Sequence, residues 1–166
     1  MAILRANNNT LSSVTALPTG LGGKVLKIQQ ATKLDIISTT TGTFHDITGL
    51  SIDITPASSS SKFLCMINVC LGNSATSNDC LNLVRDSTNI FVNSGTSVVS
   101  SIFAGYHSNA EAFTNNLMYL DAPSTASQIT YKVQWKQQTG TLYLNRRGAD
   151  TAHGGASSLC VMELSS

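Results

Sequence analysis

The sequence predicts an all-β protein: a β-sandwich or jelly-roll-like domain carrying an extended N-terminal arm. Three observations lead there. Short stretches between residue 24 and the C-terminus alternate apolar with polar residues at period two, as a strand with one buried and one wet face must. Gly, Ser, Asn and Asp clusters separate these stretches at short, regular intervals. Residues 1–23 keep no sustained period and hold Asn7-Asn8-Asn9, Pro18-Thr19-Gly20 and Gly22-Gly23. They read as an arm on a glycine hinge, followed by one domain over residues 24–166.

The strands follow in order. Val25-Leu26-Lys27-Ile28-Gln29 is the first, and residues 43–47 and 50–55 are the next two. Residues 62–71 form the most hydrophobic strand. Phe63, Cys65, Ile67, Val69 and Leu71 share one of its faces, while Leu64, Met66 and Cys70 share the other. A strand apolar on both faces belongs in mid-sheet or at a subunit contact. Residues 81–85, 90–93, 98–106, 113–120, 128–135, 141–145 and 159–164 complete the set. Residues 128–135 and 141–145, parted by Gln138-Thr139-Gly140, read as a hairpin. Ser58–Ser61 reads as a loop, no long amphipathic helix is visible, and no internal repeat is evident.

Composition narrows the class. The chain has 166 residues, of which 11% are charged, against roughly 25% in ordinary soluble proteins. Ser, Thr and Asn make up about a third of it, far above average usage, yet the hydrophobic fraction of 42% argues against disorder. The expected surface is therefore hydroxyl and amide rather than ionic. A formal net charge of +1 offers no bulk field to nucleic acid or an anionic membrane, so neither is expected as a partner. Arg5 and the Asn tract interrupt Ile3-Leu4, so no signal peptide is expected, and no apolar run reaches the ~20 residues that span a bilayer.

Chemical motifs are sparse. There is no GxSxG, P-loop, HExxH or Rossmann glycine pattern, so no enzyme and no cofactor are expected. Asp46, Asp53, Asp79, Asp86, Glu111 and Asp121 include any pair that could meet as a glycosidase dyad. Each lies in turn-like or alternating text, where solvated or capping roles are usual. Cys65, Cys70, Cys80 and Cys160 lack CxxC spacing and a nearby His, so no metal site is expected. They read as buried free thiols, with Cys65–Cys160 or Cys70–Cys80 as alternative disulfides. His45, His107 and His153 are isolated, although His107 after Gly105-Tyr106 suits a trimer axis. Arg146-Arg147 opens the only dense charge cluster, RRGAD, ahead of a Gly-rich loop. The pair suits either an inter-subunit carboxylate clamp or a solvated loop. Tyr106, Phe113, Tyr119, Tyr131, Trp135 and Tyr143 alternate with polar residues and read as core rather than as a sugar platform.

Several phrases resemble small virion proteins of tailed bacteriophages. Leu120–Gln134, LDAPSTASQITYKVQ, is similar to their LDSPST…TYKVQ. Gly49–Pro56 with the serine run and Lys62-Phe63-Leu64 resembles their GLSVSITPSSTSSKVLI. The opening TALPTGLGGKVLKIQ and the ending LCVMEL carry the same likeness, while residues 73–116 depart from it. The resemblance implies a place on the phage particle, after synthesis in the host cytoplasm. Joined to size and shape, it leads to a capsid decoration (cement) protein working as an oligomer, with a homotrimer expected. Its partners would be itself and the major capsid protein or another virion protein. The alternative is a tail-fibre or spike tip module binding a host surface glycan.

Within the arm, Ile3, Leu4, Arg5, Leu11, Val14 and Leu17 are the expected contacts with a partner chain. Ordering such a segment costs roughly 1–2 kcal/mol per residue of backbone entropy, which a neighbouring chain must offset. Deleting residues 1–20 should leave a folded domain that no longer joins particles; normal incorporation of the truncated chain would overturn that expectation.

Overall fold

The computed structural model describes residues 24–95, 98–106 and 108–165. The arm positions Ile3, Leu4, Arg5, Leu11, Val14 and Leu17, together with His107, lie outside the described residues. Among those described there are strands and turns and no helix.

The strands are β1 (Val25–Lys33), β2 (Ile37–Thr39), β3 (His45–Ile54), β4 (Lys62–Asn73), β5 (Ser77–Arg85), β6 (Thr88–Ile90), β7 (Ile102–Tyr106), β8 (Phe113–Asp121), β9 (Ile129–Lys136), β10 (Leu142–Leu144) and β11 (Ser157–Leu164). They form two antiparallel sheets packed face to face. Sheet A runs β1-β11-β4-β10-β2, with β8 on the other edge of β4; sheet B runs β3-β9-β5-β6, with β7 also on β5. The chain changes sheet at the β2–β3, β3–β4, β4–β5, β7–β8, β8–β9 and β9–β10 connections. This is the all-β sandwich that the alternating text predicts.

β4 organises sheet A. One edge pairs with β8 from Phe63↔Asp121 to Leu71↔Phe113. The other pairs first with β11 and then, at Leu71–Asn73, with β10. Its inward residues Phe63, Cys65, Ile67, Val69 and Leu71 are buried against Leu81, Leu83, Tyr131, Val133 and Trp135 of sheet B in one continuous core. The two stretches at 43–47 and 50–55 prove to be a single strand, β3. Its register against β9 slips between Asp46 and Ser51, where Gly49 takes φ +92°, so Ile47 and Leu50 both reach the core.

The expected hairpin between 128–135 and 141–145 is not formed. β9 pairs with β3 and β5 in sheet B, whereas β10 pairs with β2 and β4 in sheet A. The connection is a crossover pinned at its base. Asp79 Oδ1 accepts the Gln138 N–H (3.0 Å) and Ser77 Oγ accepts the Thr139 N–H (3.1 Å). Gly140, at φ +78°, passes so close to Asn73 and Ser74 that a side chain there has no room. The turn residues are those of a hairpin, but the buried acceptors at its base divert the chain to the opposite sheet. Asn73 and Ser77 are accordingly buried, with Asn73 Nδ2 and Ser77 Oγ donating to Asp79 at 2.7 Å.

A buried polar brace closes one end of the sandwich. Asp121, at the end of β8 in sheet A, receives Arg85 Nη1 on both oxygens (2.8 and 2.7 Å) and the Tyr131 hydroxyl at 2.6 Å. Arg85 and Tyr131 belong to sheet B. Asp121 and Tyr131 are 4% and 0% exposed, so the brace fixes how the sheets meet rather than decorating a surface.

Two outcomes check this picture. Ile67→Ala empties a site of 3% exposure and should cost about 2–5 kcal/mol in a urea titration; a loss below ~1 kcal/mol would place Ile67 outside the core. The second is alkaline sensitivity. Burial first, then the Asp121 contact, pushes the Tyr131 phenol well above its ordinary 10.0. Burial likewise pushes the Cys65 thiol well above 9.0. In the unfolded chain both groups deprotonate near their ordinary 9.0 and 10.0, so above pH ~9 the folded state binds more protons and stability falls as pH rises. The loss should steepen towards ~1.4 kcal/mol per pH unit per group. Tyr131→Phe should flatten the part above pH ~10, and an unchanged profile would refute the assignment.

Candidate assembly surface

The two sheets present unlike outer faces. On sheet B, the outward residues of β9 lie among charged and hydroxyl partners. Lys132 Nζ and Gln134 Nε2 both donate to Asp46, at 2.9 and 2.7 Å, and Thr130 Oγ1 donates to Asp53 at 2.6 Å. Asp46 is held below the ordinary carboxylate range: burial opposes ionisation, and the Gln134 and Lys132 hydrogen bonds more than compensate.

Sheet A presents the reverse. Register places Ile28, Met162, Leu64 and Leu120 in one row across β1, β11, β4 and β8. The next row is Gln30, Cys160, Met66 and Met118, and the one after it Thr32, Ser158, Asn68 and Asn116. Alternation sends all of these outward, because Gln29, Val161, Cys65 and Tyr119 between them face the core. The first two rows are almost wholly apolar and free of charge. Three of the chain's four methionines lie in them. Met118 is 65% exposed, Ile28 58% and Leu120 48%. A groove of about 480 Å³ runs along the second and third rows between β11 and β8. A contiguous apolar patch of this kind on a folded domain marks an interaction surface, and methionine side chains adapt to irregular partners.

Both outer edges of this face are open strands. Among the described residues, β1 pairs only with β11, and β8 only with β4. Lys24, just before β1, is tied to the C-terminal corner of the same sheet: its N–H donates to Ser165 Oγ (3.0 Å) and its carbonyl accepts the Ser165 N–H (2.9 Å). Lys24 therefore sits at a corner of the sheet that carries the methionine face.

The sequence-derived candidates fall elsewhere. Arg146 and Arg147 are both engaged within their own loop. Arg147 makes two bonds to Asp150 (2.7 and 2.6 Å); Arg146 donates to the Arg147 and Gly148 carbonyls and lies 3.9 Å from the Tyr143 ring. The Arg147 bonds, then the Ala152 N–H, hold Asp150 at about 2. Two of the six carboxylates meet at one residue, Asp53 accepting the Thr130 hydroxyl and Asp86 the Thr130 N–H; the other four go to different partners, Asp46 and Asp79 as described, Glu111 to the Ser108 N–H, and Asp121 to the brace. Cys65, Cys70 and Cys80 are buried free thiols, and Cys160 is half-buried on the outer face. Of the aromatics expected in the core, Tyr131 and Trp135 are buried and Tyr119 and Tyr143 are half-buried. Phe113 corrects the expectation: it is 46% exposed, at the first position of the edge strand β8. The methionine face is only half visible in sequence. Leu64 and Met66 mark β4 as two-faced, but their neighbours Ile28, Met118 and Met162 come from distant strands that only the register unites.

No protein-family model and no curated protein matches the chain. Solved structures similar to it at a low level include two from infectious bursal disease virus. One is a structure of infectious bursal disease virus, Gx strain, at TM-score 0.40 and 11% identity over 90% of this chain and 45% of that one. The other is the crystal structure of the infectious bursal disease virus VP2 subviral particle, at TM-score 0.39 and 12% identity over 84% and 42%. This chain thus spans less than half the length of either, and likeness at this level carries no functional argument.

Proposed function

We propose that the chain is a structural subunit of a virus particle, bound at its surface as an oligomer: a capsid decoration protein of a tailed bacteriophage. The observation that carries the reading is the asymmetry of the sandwich. One outer face is ion-paired and polar, while the other holds two uncharged, methionine-rich rows and ends in strands whose outer edges are unpaired among the described residues. A subunit that stiffens a shell works through area, strand pairing and apolar contact, and this face supplies all three. The phage-like phrases that run through both the β3–β4 and β8–β9 segments support the same place.

A second reading, a spike or fibre tip that binds a host glycan, has one observation of its own. Phe91, at φ +54° and 52% exposed, packs on the half-buried Tyr119 at 4.9 Å with the rings inclined by 29°, and so presents an exposed aromatic ring of the kind on which a sugar rests.

Met118→Arg discriminates. Met118 is largely solvent-exposed, so the folded domain should keep its stability within the ±0.5 kcal/mol usual for surface sites. The charge on the apolar face should abolish addition to undecorated heads and the gain in heat resistance that addition confers. Unchanged decoration would refute the use of this face. Binding to host polysaccharide that is lost on Phe91→Ala, with head stability unaffected, would install the fibre-tip reading instead.

A further inference from the structure

We infer that residues 1–23 of one copy lie across the methionine face of a neighbouring copy, so that the face is a seat for an exchanged arm. The inference rests on the assembly reading above and names the occupant of its surface. The first ground is place and length. The segment enters at Lys24, beside sheet A. Crossing from β1 to β8 takes about 14 Å at ~4.8 Å per strand, which a handful of extended residues covers. A segment this long reaches roughly 75 Å when extended, about twice the ~37 Å breadth of a domain this size. A segment meant only for its own sheet is far too long.

The second ground is chemistry. The segment offers Leu11, Val14 and Leu17 with Arg5 as its only charged side chain, which suits a face without charge in its two apolar rows. Those three residues recur at every third position. In a chain of three residues per turn they fall on one side, about 9 Å apart, close to twice the strand spacing of the sheet beneath. Laid across the strands, the segment would set an apolar side chain over every second strand. Methionine's flexibility accommodates the residual mismatch.

Cys160, half-buried in the second row, is a built-in reporter. Val14→Cys in a Cys160→Ser background is mixed with an equal amount of the unaltered full-length chain and treated with diamide. An interchain disulfide should form, at least tenfold more abundant than in either chain alone, and the Leu11→Cys and Leu17→Cys counterparts should behave similarly. The introduced cysteines fall outside the residues that build the two sheets, and Cys160→Ser, a near-isosteric change at a half-buried position of β11, is checked by the unchanged urea midpoint of that background. Val14→Cys alone, with Cys160 retained, supplies the control. An intrachain bond between its introduced thiol and Cys160, with none in the mixture, would mean that the segment covers its own sheet and would overturn the exchange. Equal dimer in the unaltered chain would mean that two faces meet directly, and would overturn it too. Absence of any product at all three positions would do the same. None of these outcomes touches the assembly reading, which stands or falls with Met118→Arg.

Discussion

β4 is hydrogen-bonded along both edges and apolar on both faces, and most of the molecule follows from satisfying it. Its edges must be paired, which places β8 on one side and β11 and β10 on the other. Its inward face must be covered, which brings sheet B over Phe63, Ile67 and Leu71. Its outward face is left over. In a two-layer sandwich there is no third layer to bury Leu64 and Met66, and the neighbouring strands extend the apolar surface instead of masking it. The same strand that builds the core therefore builds the exposed patch.

The rest of the fold is held in register by buried polar groups at the points where the chain changes sheet. Asp79 gathers Asn73, Ser77 and the Gln138 N–H at the β4–β5 and β9–β10 crossings. Asn145, in the left-handed region at φ +63°, donates to the Lys33 and Asp35 carbonyls and accepts the Ser157 hydroxyl at 2.6 Å. Asp121 joins β8 to β5 and β9. A sandwich core of Leu, Ile and Val is tolerant of sliding, because apolar contact is not directional. These clusters are directional, and each loses its partners if a sheet shifts by one residue.

Much of this is legible from local pattern. Period-two alternation locates β4, β8, β9 and β11 to within about two residues, sets Phe63, Ile67 and Val69 on one face and puts Trp135 in the core, and all four are buried there. β2 escapes notice because Ile37-Ser38-Thr39 is too short to show a period. The hairpin reading fails because Gln138-Thr139-Gly140 has the same turn chemistry whether the chain returns to its neighbour or crosses over. What decides is Asp79, some sixty residues earlier in the chain. The assembly surface is harder still. Ile28, Leu64, Met118, Leu120 and Met162 come from four strands, and none of them looks unusual where it stands. Only pairing register makes them one surface.

Charge distribution sharpens the consequence of that surface. Charged residues are 11% of the chain, and several of them are spent in the Asp121 brace, the Asp46–Lys132 pair and the Arg147–Asp150 loop, all away from the methionine rows. With a formal net charge of +1, copies repel one another little. An apolar face flanked by two unpaired strand edges is then an adhesive one, and proteins that remain separate normally blunt such edges with lysine, proline or bulges. β8 carries none of these along Phe113–Asp121: it is straight in register and free of charge until Asp121, which turns inward. β1 is blunted in part, by a bulge between Val25 and Lys27 and by Lys27 itself, and is regular from there to Lys33. The edge of β8, open among the described residues, fits a protein whose working state is an assembly in which that face and that strand are covered.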